Sequence, residues 1–256
     1  MNLHYHEYGE GPPLIILHGL LGSSDNWHTL SRTFASSFRV LAVDQRNHGR
    51  SPHSDTFSYQ AMADDVRELM DRLGVPAAHV LGHSMGGKTA MELALTHPAR
   101  VRRVIVVDIA PRAYPRLHDE ILDALLSTNP GVFGSREQID AALGRTITEL
   151  PIRQFVMKNL ARDQSGRLFW RANVKAIERN YAEIARAIDS HLPFQGECLF
   201  IKGNQAGYVL DSDESDIRRL FPKAVIVGLE AGHWIHAEIP TEFAQIVLRF
   251  LHSGRI

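Results

Sequence analysis

The stretch Ala78-His79-Val80-Leu81-Gly82-His83-Ser84-Met85-Gly86-Gly87-Lys88 decides how this chain is read. The apolar run Ala78–Leu81 predicts a buried strand, and the apolar spacing over Gly86–Thr96 predicts a helix. Between them, Gly82-His83-Ser84-Met85-Gly86 fits the pattern G-x-S-x-G. Five residues alone are a weak signal. Strand, tight turn and helix together form the context in which such a turn presents a serine nucleophile. Glycines at 82 and 86 remove side chains where strand and helix meet, leaving the Ser84 hydroxyl exposed above the sheet. The start of the helix also aims backbone N–H groups at developing negative charge. A phosphate-binding loop is the competing use of such glycines, but G-x-x-x-x-G-K-[ST] is not met, and Lys88 reads as structural or surface.

Similar apolar runs flank this unit on both sides: Leu14–Leu17, Arg39–Val43, Val104–Val107, Leu199–Ile201 and Val225–Val227. Their length and lack of polar alternation fit strands covered on both faces. Helical spacing lies between them, over Ser58–Leu73 and Thr241–Leu251. Alternating strand and helix imply an α/β architecture with a mainly parallel sheet and helices on both faces. Residues 112–192 break that rhythm. No strand is read there, and helical stretches recur at Leu117–Leu126, Arg136–Leu143, Ile152–Leu160 and Trp170–Ile188. So long a segment exceeds a connecting loop. The expected organisation is a core of residues 1–111 and 193–256, with a helical cap of residues 112–192 inserted over the sheet's carboxyl edge.

Composition narrows the function classes. The 256 residues are 44% hydrophobic and 22% charged, with a formal net charge of -1. This is ordinary globular composition, and it offers no basic surface for nucleic acid or an anionic membrane. A single cysteine, Cys198, rules out an intrachain disulfide. The polar, histidine-containing N-terminus has no apolar signal core, and the apolar runs are too short to span a bilayer. A cytoplasmic protein is expected, with no nucleic-acid or membrane partner.

A serine hydroxyl needs a general base. The chain has 14 histidines, so position must select among them. His233, in Ala231-Gly232-His233-Trp234, follows the last strand and precedes the final helix, on the same sheet edge as Ser84. His236 is its competitor and reads as a packed or capping residue. His18-Gly19-Leu20-Leu21 follows the first strand, where a loop of this type supplies one oxyanion donor; the other comes from the residue after the nucleophile. The backbone amides of Leu20 and Met85 are therefore the candidates, with His18 bracing the loop and His83 buried beside the nucleophile. The third requirement is a carboxylate that orients the imidazole. After Leu199–Ile201 no acid occurs until Asp211 and Asp213. Asp108, ending the strand beside the nucleophile's, keeps the order Ser, acid, His and is favoured, with Asp211 and Asp213 left as alternatives. No H-E-x-x-H or C-x-x-C spacing points to a metal, and the chemistry requires no cofactor.

His18-Gly19, Asp44-Gln45-Arg46-Asn47-His48-Gly49-Arg50-Ser51, Gly82 to Gly86 and Gly232-His233 together resemble the α/β-hydrolase superfamily over nearly the whole chain. The Asn47-His48 pair, His83-Ser84-Met85-Gly86-Gly87-Lys88 and Asp108-Ile109-Ala110-Pro111 resemble the YbfF-type esterase subfamily. That resemblance implies a helical cap and hydrolysis of short- to medium-chain carboxylic esters or thioesters. It also favours Asp108, because the acid position after the later strand is non-acidic in that subfamily, as at Ala206 here. Dehalogenases and epoxide hydrolases of the superfamily carry Asp at the elbow, so Ser84 argues against both. The expectation is a serine esterase acting on a small-molecule ester. C–C bond hydrolysis, lyase chemistry and perhydrolysis by the same Ser-His-Asp set remain open alternatives, as does a non-catalytic binding protein.

Overall fold

The computed structural model describes residues 1–256. Its centre is a seven-stranded sheet. The strands are β1 (Tyr5–Tyr8), β2 (Pro13–Leu17), β3 (Arg39–Val43), β4 (Ala78–His83), β5 (Val101–Val107), β8 (Glu197–Gly203) and β9 (Ala224–Leu229), lying side by side in the order β1-β3-β2-β4-β5-β8-β9. All pairs are parallel except β1 with β3. β1 did not stand out in the sequence because it is a short, half-buried edge strand whose side chains are polar or aromatic.

Period-two alternation divides the core into two layers. Ile15, Leu17, Val80, Val104, Val106 and Phe200 face one layer, while Leu14, Ile16, Leu81, Ile105, Val107 and Ile201 face the other. Helices α2 (Tyr59–Arg72), α3 (Met85–Thr96) and α9 (Glu214–Leu220) cover the first. Helices α1 (His28–Phe34) and α11 (Pro240–Ser253), the latter preceded by the short α10 (Ile235–Glu238), cover the second with Phe34, Phe243, Val247 and Phe250. Ser58 caps α2 by accepting from the Ala61 N–H at 3.3 Å, the bond that makes Ser a strong helix initiator.

Between β5 and β8 the chain forms α4 (Asp119–Ser127), α5 (Arg136–Leu143), α6 (Leu150–Met157), α7 (Val174–Arg179) and α8 (Tyr181–Ala185). It also forms an antiparallel hairpin of β6 (Leu160–Arg162) and β7 (Leu168–Trp170), which corrects the strand-free expectation for this segment. The cause is the turn Asp163-Gln164-Ser165-Gly166. Asp163 Oδ1 accepts the Ser165 and Arg167 N–H groups, and Gly166 supplies φ +83, a backbone geometry that favours glycine. The single helix expected over Trp170–Ile188 is likewise a strand end followed by two short helices that divide at Asn180.

The two ends of the segment between β5 and β8 pair with each other in a neck. Ile188 N–H donates to Pro111 O at 2.7 Å and Tyr114 N–H to Ala185 O at 2.8 Å. Lys88, buried in α3, donates to the carbonyls of Arg112 and Arg186 on the two arms of that neck and lies over the Tyr114 ring. Burial, with Arg112 and Arg186 nearby, pushes its ammonium from the ordinary 10.5 down to about 7. Between those values the unfolded chain binds the proton and the folded chain does not, so stability rises with pH through that window. In urea titrations, Lys88→Met should remove this rise, whose slope reaches about 1.4 kcal/mol per pH unit for one full proton. The variant's stability relative to wild type should therefore be more favourable at pH 7 than at pH 10. Equal differences at both pH values would contradict a depressed Lys88.

Candidate active site

The turn between β4 and α3 places Ser84 in a strained backbone conformation, φ 53 and ψ -119. Its N–H donates to Val107 O at 2.9 Å, so the strand beside it sets the height of the turn. A Cβ on Gly82 would collide with the Gly86 carbonyl, and one on Gly86 with the Leu17 carbonyl. Both positions therefore need glycine for close approach, and the strain at Ser84 is held by packing around it.

Asp108 directly follows β5, is fully buried and also has positive φ, at 49. That backbone twist turns its carboxyl across the end of β8. Oδ1 accepts the Gly203 N–H at 2.8 Å, and Oδ2 lies 2.8 Å from His233 Nδ1. Burial raises the Asp108 pKa, and the Gly203 N–H works against that rise. Both partners of the carboxyl are donors, which is the environment of an ionised acceptor. Burial likewise pushes the His233 imidazole down, keeping the ring neutral. With Nδ1–H given to Asp108, Nε2 is the free basic nitrogen. Asp211 pairs instead with Lys202 at 2.7 Å, and Asp213 with Arg112 at 3.1 Å, so neither touches His233.

The loop bearing His233 is fixed on three sides. Its carbonyl bonds His83 Nε2 at 2.9 Å, and Tyr208 stacks on its ring at 3.9 Å between centroids. Glu238 accepts the Gly232 and Trp234 N–H groups on either side of it. Tyr208 and Glu238 had no role in the sequence reading. Only the fold brings Tyr208 onto the imidazole, while an acid five residues after His233 resembles any helix carboxylate. His236 is buried and stacks on Trp27 at 4.4 Å, as a packed residue would.

The loop after β2 is tied just as closely. His18 Nε2 accepts the Gln45 N–H at 3.0 Å, leaving Nδ1–H to donate to Gly19 O at 2.8 Å. His48 Nε2 accepts the Leu21 N–H at 3.1 Å, and its Nδ1–H donates to Arg46 O. Asn159, from the inserted segment, donates to Leu21 O at 2.7 Å. Burial pushes His48 down to about 3, which matches this neutral bracing role. Asn47 is buried too and holds the Ser54 N–H and the Asn173 amide, so this pair shapes the turn rather than the pocket rim. The Leu20 N–H donates to no group in the protein. The Met85 N–H, first in α3, is one of the helix's orphan donors.

Ser84, His233, Leu20, Phe155 and Trp234 line one cavity of about 400 Å³, with apolar side chains from the core and from the inserted segment. Ser84 and His233 face it without a direct hydrogen bond between them, a looseness usual before substrate tightens such pairs. Phe155 of α6 packs against Trp234 with the ring centroids 5.5 Å apart and the planes tilted, so the segment between β5 and β8 forms part of the wall. No helix is long and apolar enough to cross a membrane.

Comparison with known proteins places the chain in a family. A family profile described as alpha/beta hydrolase fold matches residues 12–240. The chain is similar to the mouse "sn-1-specific diacylglycerol lipase ABHD11", 39% identical over 94% of this chain and 81% of the relative. It is similar to "Esterase YbfF" of Escherichia coli, 34% identical over 94% of this chain and 93% of the relative. Among solved structures, "Marine microorganism esterase" superimposes with a TM-score of 0.95 at 40% identity, covering 97% of this chain and 98% of that one. A serine on a strained elbow in an apolar cleft, and relatives named for ester hydrolysis, lead to one assignment: this chain belongs to the α/β-hydrolase family, is YbfF-like, and is a carboxylic ester hydrolase.

Proposed function

We propose that the protein hydrolyses short- to medium-chain carboxylic esters, thioesters included, through an acyl-enzyme on Ser84. The observation carrying this is the 2.8 Å bond from Asp108 to His233 Nδ1, which leaves Nε2 as a base beside the cavity that Ser84 lines. Ser84 Oγ attacks the ester carbonyl carbon as His233 takes its proton. The carbonyl oxygen becomes an oxyanion held by the Leu20 and Met85 N–H groups, donors fixed before the reaction begins. Collapse of this intermediate breaks the bond to the alkoxide or thiolate, which leaves with the proton from His233. Water, deprotonated by the same nitrogen, then attacks the acyl-enzyme and releases the acid. Residues 112–192 act as a cap over this cleft, with Phe155 and neighbouring apolar side chains supplying its outer wall.

A fluorophosphonate probe tests the assignment. Wild type should be labelled, peptide mapping should place the adduct on Ser84, and 4-nitrophenyl butyrate turnover should fall in proportion to labelling. A folded wild type that resists the probe, or an adduct on another residue, would overturn it.

A further inference from the structure

Ser84 stands between two cavities of very different size. One is the 400 Å³ cleft shared with His233 and Trp234. The other, of about 40 Å³, is lined by Ser84, Met85, Tyr59, Tyr181 and Ile184; His233 is not among its lining residues. Leu20, the candidate oxyanion donor, borders both.

The chemistry distinguishes the two. In the tetrahedral intermediate the reacting carbon carries Ser84 Oγ, the oxyanion, the leaving oxygen and the acyl chain. The oxyanion sits at the Leu20 and Met85 amides. The leaving oxygen must sit by His233, because that ring hands it a proton. This places the alcohol in the large cleft. The acyl chain takes the direction left, away from His233, where the small cavity lies.

We propose that the small cavity is the acyl site and the large cleft the alcohol site, so that the enzyme selects uncharged two- to four-carbon acyl groups on bulky apolar alcohols. This rests on the Ser84–His233 assignment above. About 40 Å³ is room for roughly three water-sized groups. Most of its polar side chains are already committed. Tyr59 donates to Ile184 O at 2.6 Å, Tyr114 to Tyr208 O at 2.6 Å, and Tyr181 bonds His118 at 2.7 Å. Lys88 Nζ is held by the Arg112 and Arg186 carbonyls. Apart from the His118 and Tyr208 side chains, which it shares with the large cleft, what remains for a substrate is ring face and aliphatic wall, which suits a short alkyl chain and resists a longer one.

Two ester series test the partition. For 4-nitrophenyl esters, kcat/KM should fall at least about tenfold from butyrate to octanoate, the scale of a few excluded methylenes. For acetates of primary aliphatic alcohols, whose leaving groups are matched in basicity, it should rise from the ethyl to the 2-(2-naphthyl)ethyl ester. Ile184→Ala should raise the octanoate-to-acetate ratio about tenfold, and Ala185→Leu, which fills the same cavity, should lower the butyrate-to-acetate ratio. Both side chains change while the carbonyls that accept Tyr59 and Tyr114 stay in place. A wild type that prefers octanoate, or acyl ratios unmoved in both folded variants, would overturn the partition while probe labelling of Ser84 left the hydrolase assignment standing. Failure of every ester together with failure of labelling would sink the assignment itself.

Discussion

Replacing Ser84 with alanine is expected to lower kcat on 4-nitrophenyl butyrate by about 10⁵- to 10⁶-fold, because members of such a constellation act as one unit. The loss should be confined to chemistry. Alanine accepts the same backbone angles about as well as serine, and the turn is held by the Val107 carbonyl and by glycines at 82 and 86. Thermal unfolding should therefore match wild type within a few degrees. Binding of a non-hydrolysable ester analogue should persist, since the 400 Å³ cleft is unchanged. Residual activity above the uncatalysed rate is also expected, because the Leu20 and Met85 amides remain to polarise a carbonyl. A variant keeping more than about one per cent of wild-type kcat would remove Ser84 from the nucleophile's position.

Asp108→Asn should cost about 10⁴ in kcat. The amide is nearly isosteric and its oxygen can still accept the Gly203 N–H, so the fold should survive. Its NH2 would then face His233 Nδ1, a donor against a donor. The ring must respond by placing its proton on Nε2, which leaves no base toward Ser84. Asp211→Asn is the matched control: that carboxyl is exposed and bound to Lys202, and its loss should change kcat less than about twofold, as surface ion pairs contribute little. Steady-state kinetics on the two purified variants decides the matter. A large loss for Asp211→Asn with near-normal Asp108→Asn would move the acid to the later strand.

The Asp44–Ser51 stretch, of pattern D-x-R-x-x-G-x-S, takes on a structural meaning from the fold. Asp44 accepts the Ser24 and Arg50 N–H groups, Arg46 binds Asp65 at 2.6 Å and the Thr56 carbonyl, and Ser51 donates to Asp44 O. None of these groups lines the cleft. Together with His18 and His48 they form a buried frame behind the candidate oxyanion loop. A motif that marks the family in sequence thus braces the loop between His18 and Ser24.

The parts of this protein visible in its sequence are those that depend on local periodicity and turn chemistry. Leu14–Leu17, Arg39–Val43 and Val104–Val107 show as strands because burial on both faces makes them continuously apolar. The glycines at 82 and 86 mark the elbow because no side chain fits there, and Asp108 was singled out because it ends the strand beside that elbow. The hairpin at Leu160–Trp170 was missed because its pairing is short and its turn lies among helix-forming residues. Tyr208 and Glu238 were missed because nothing in their own neighbourhoods sets them apart; each matters only through a loop far away in sequence or through the turn of a short helix. The same holds for the two cavities at Ser84. Sequence alone determined a strand–turn–helix elbow with a serine at its tip, and a short menu of partners for it. Which carboxylate meets His233, and how much room lies on either side of Ser84, only the tertiary structure decided, because both depend on how β5, β8 and the inserted segment converge in space.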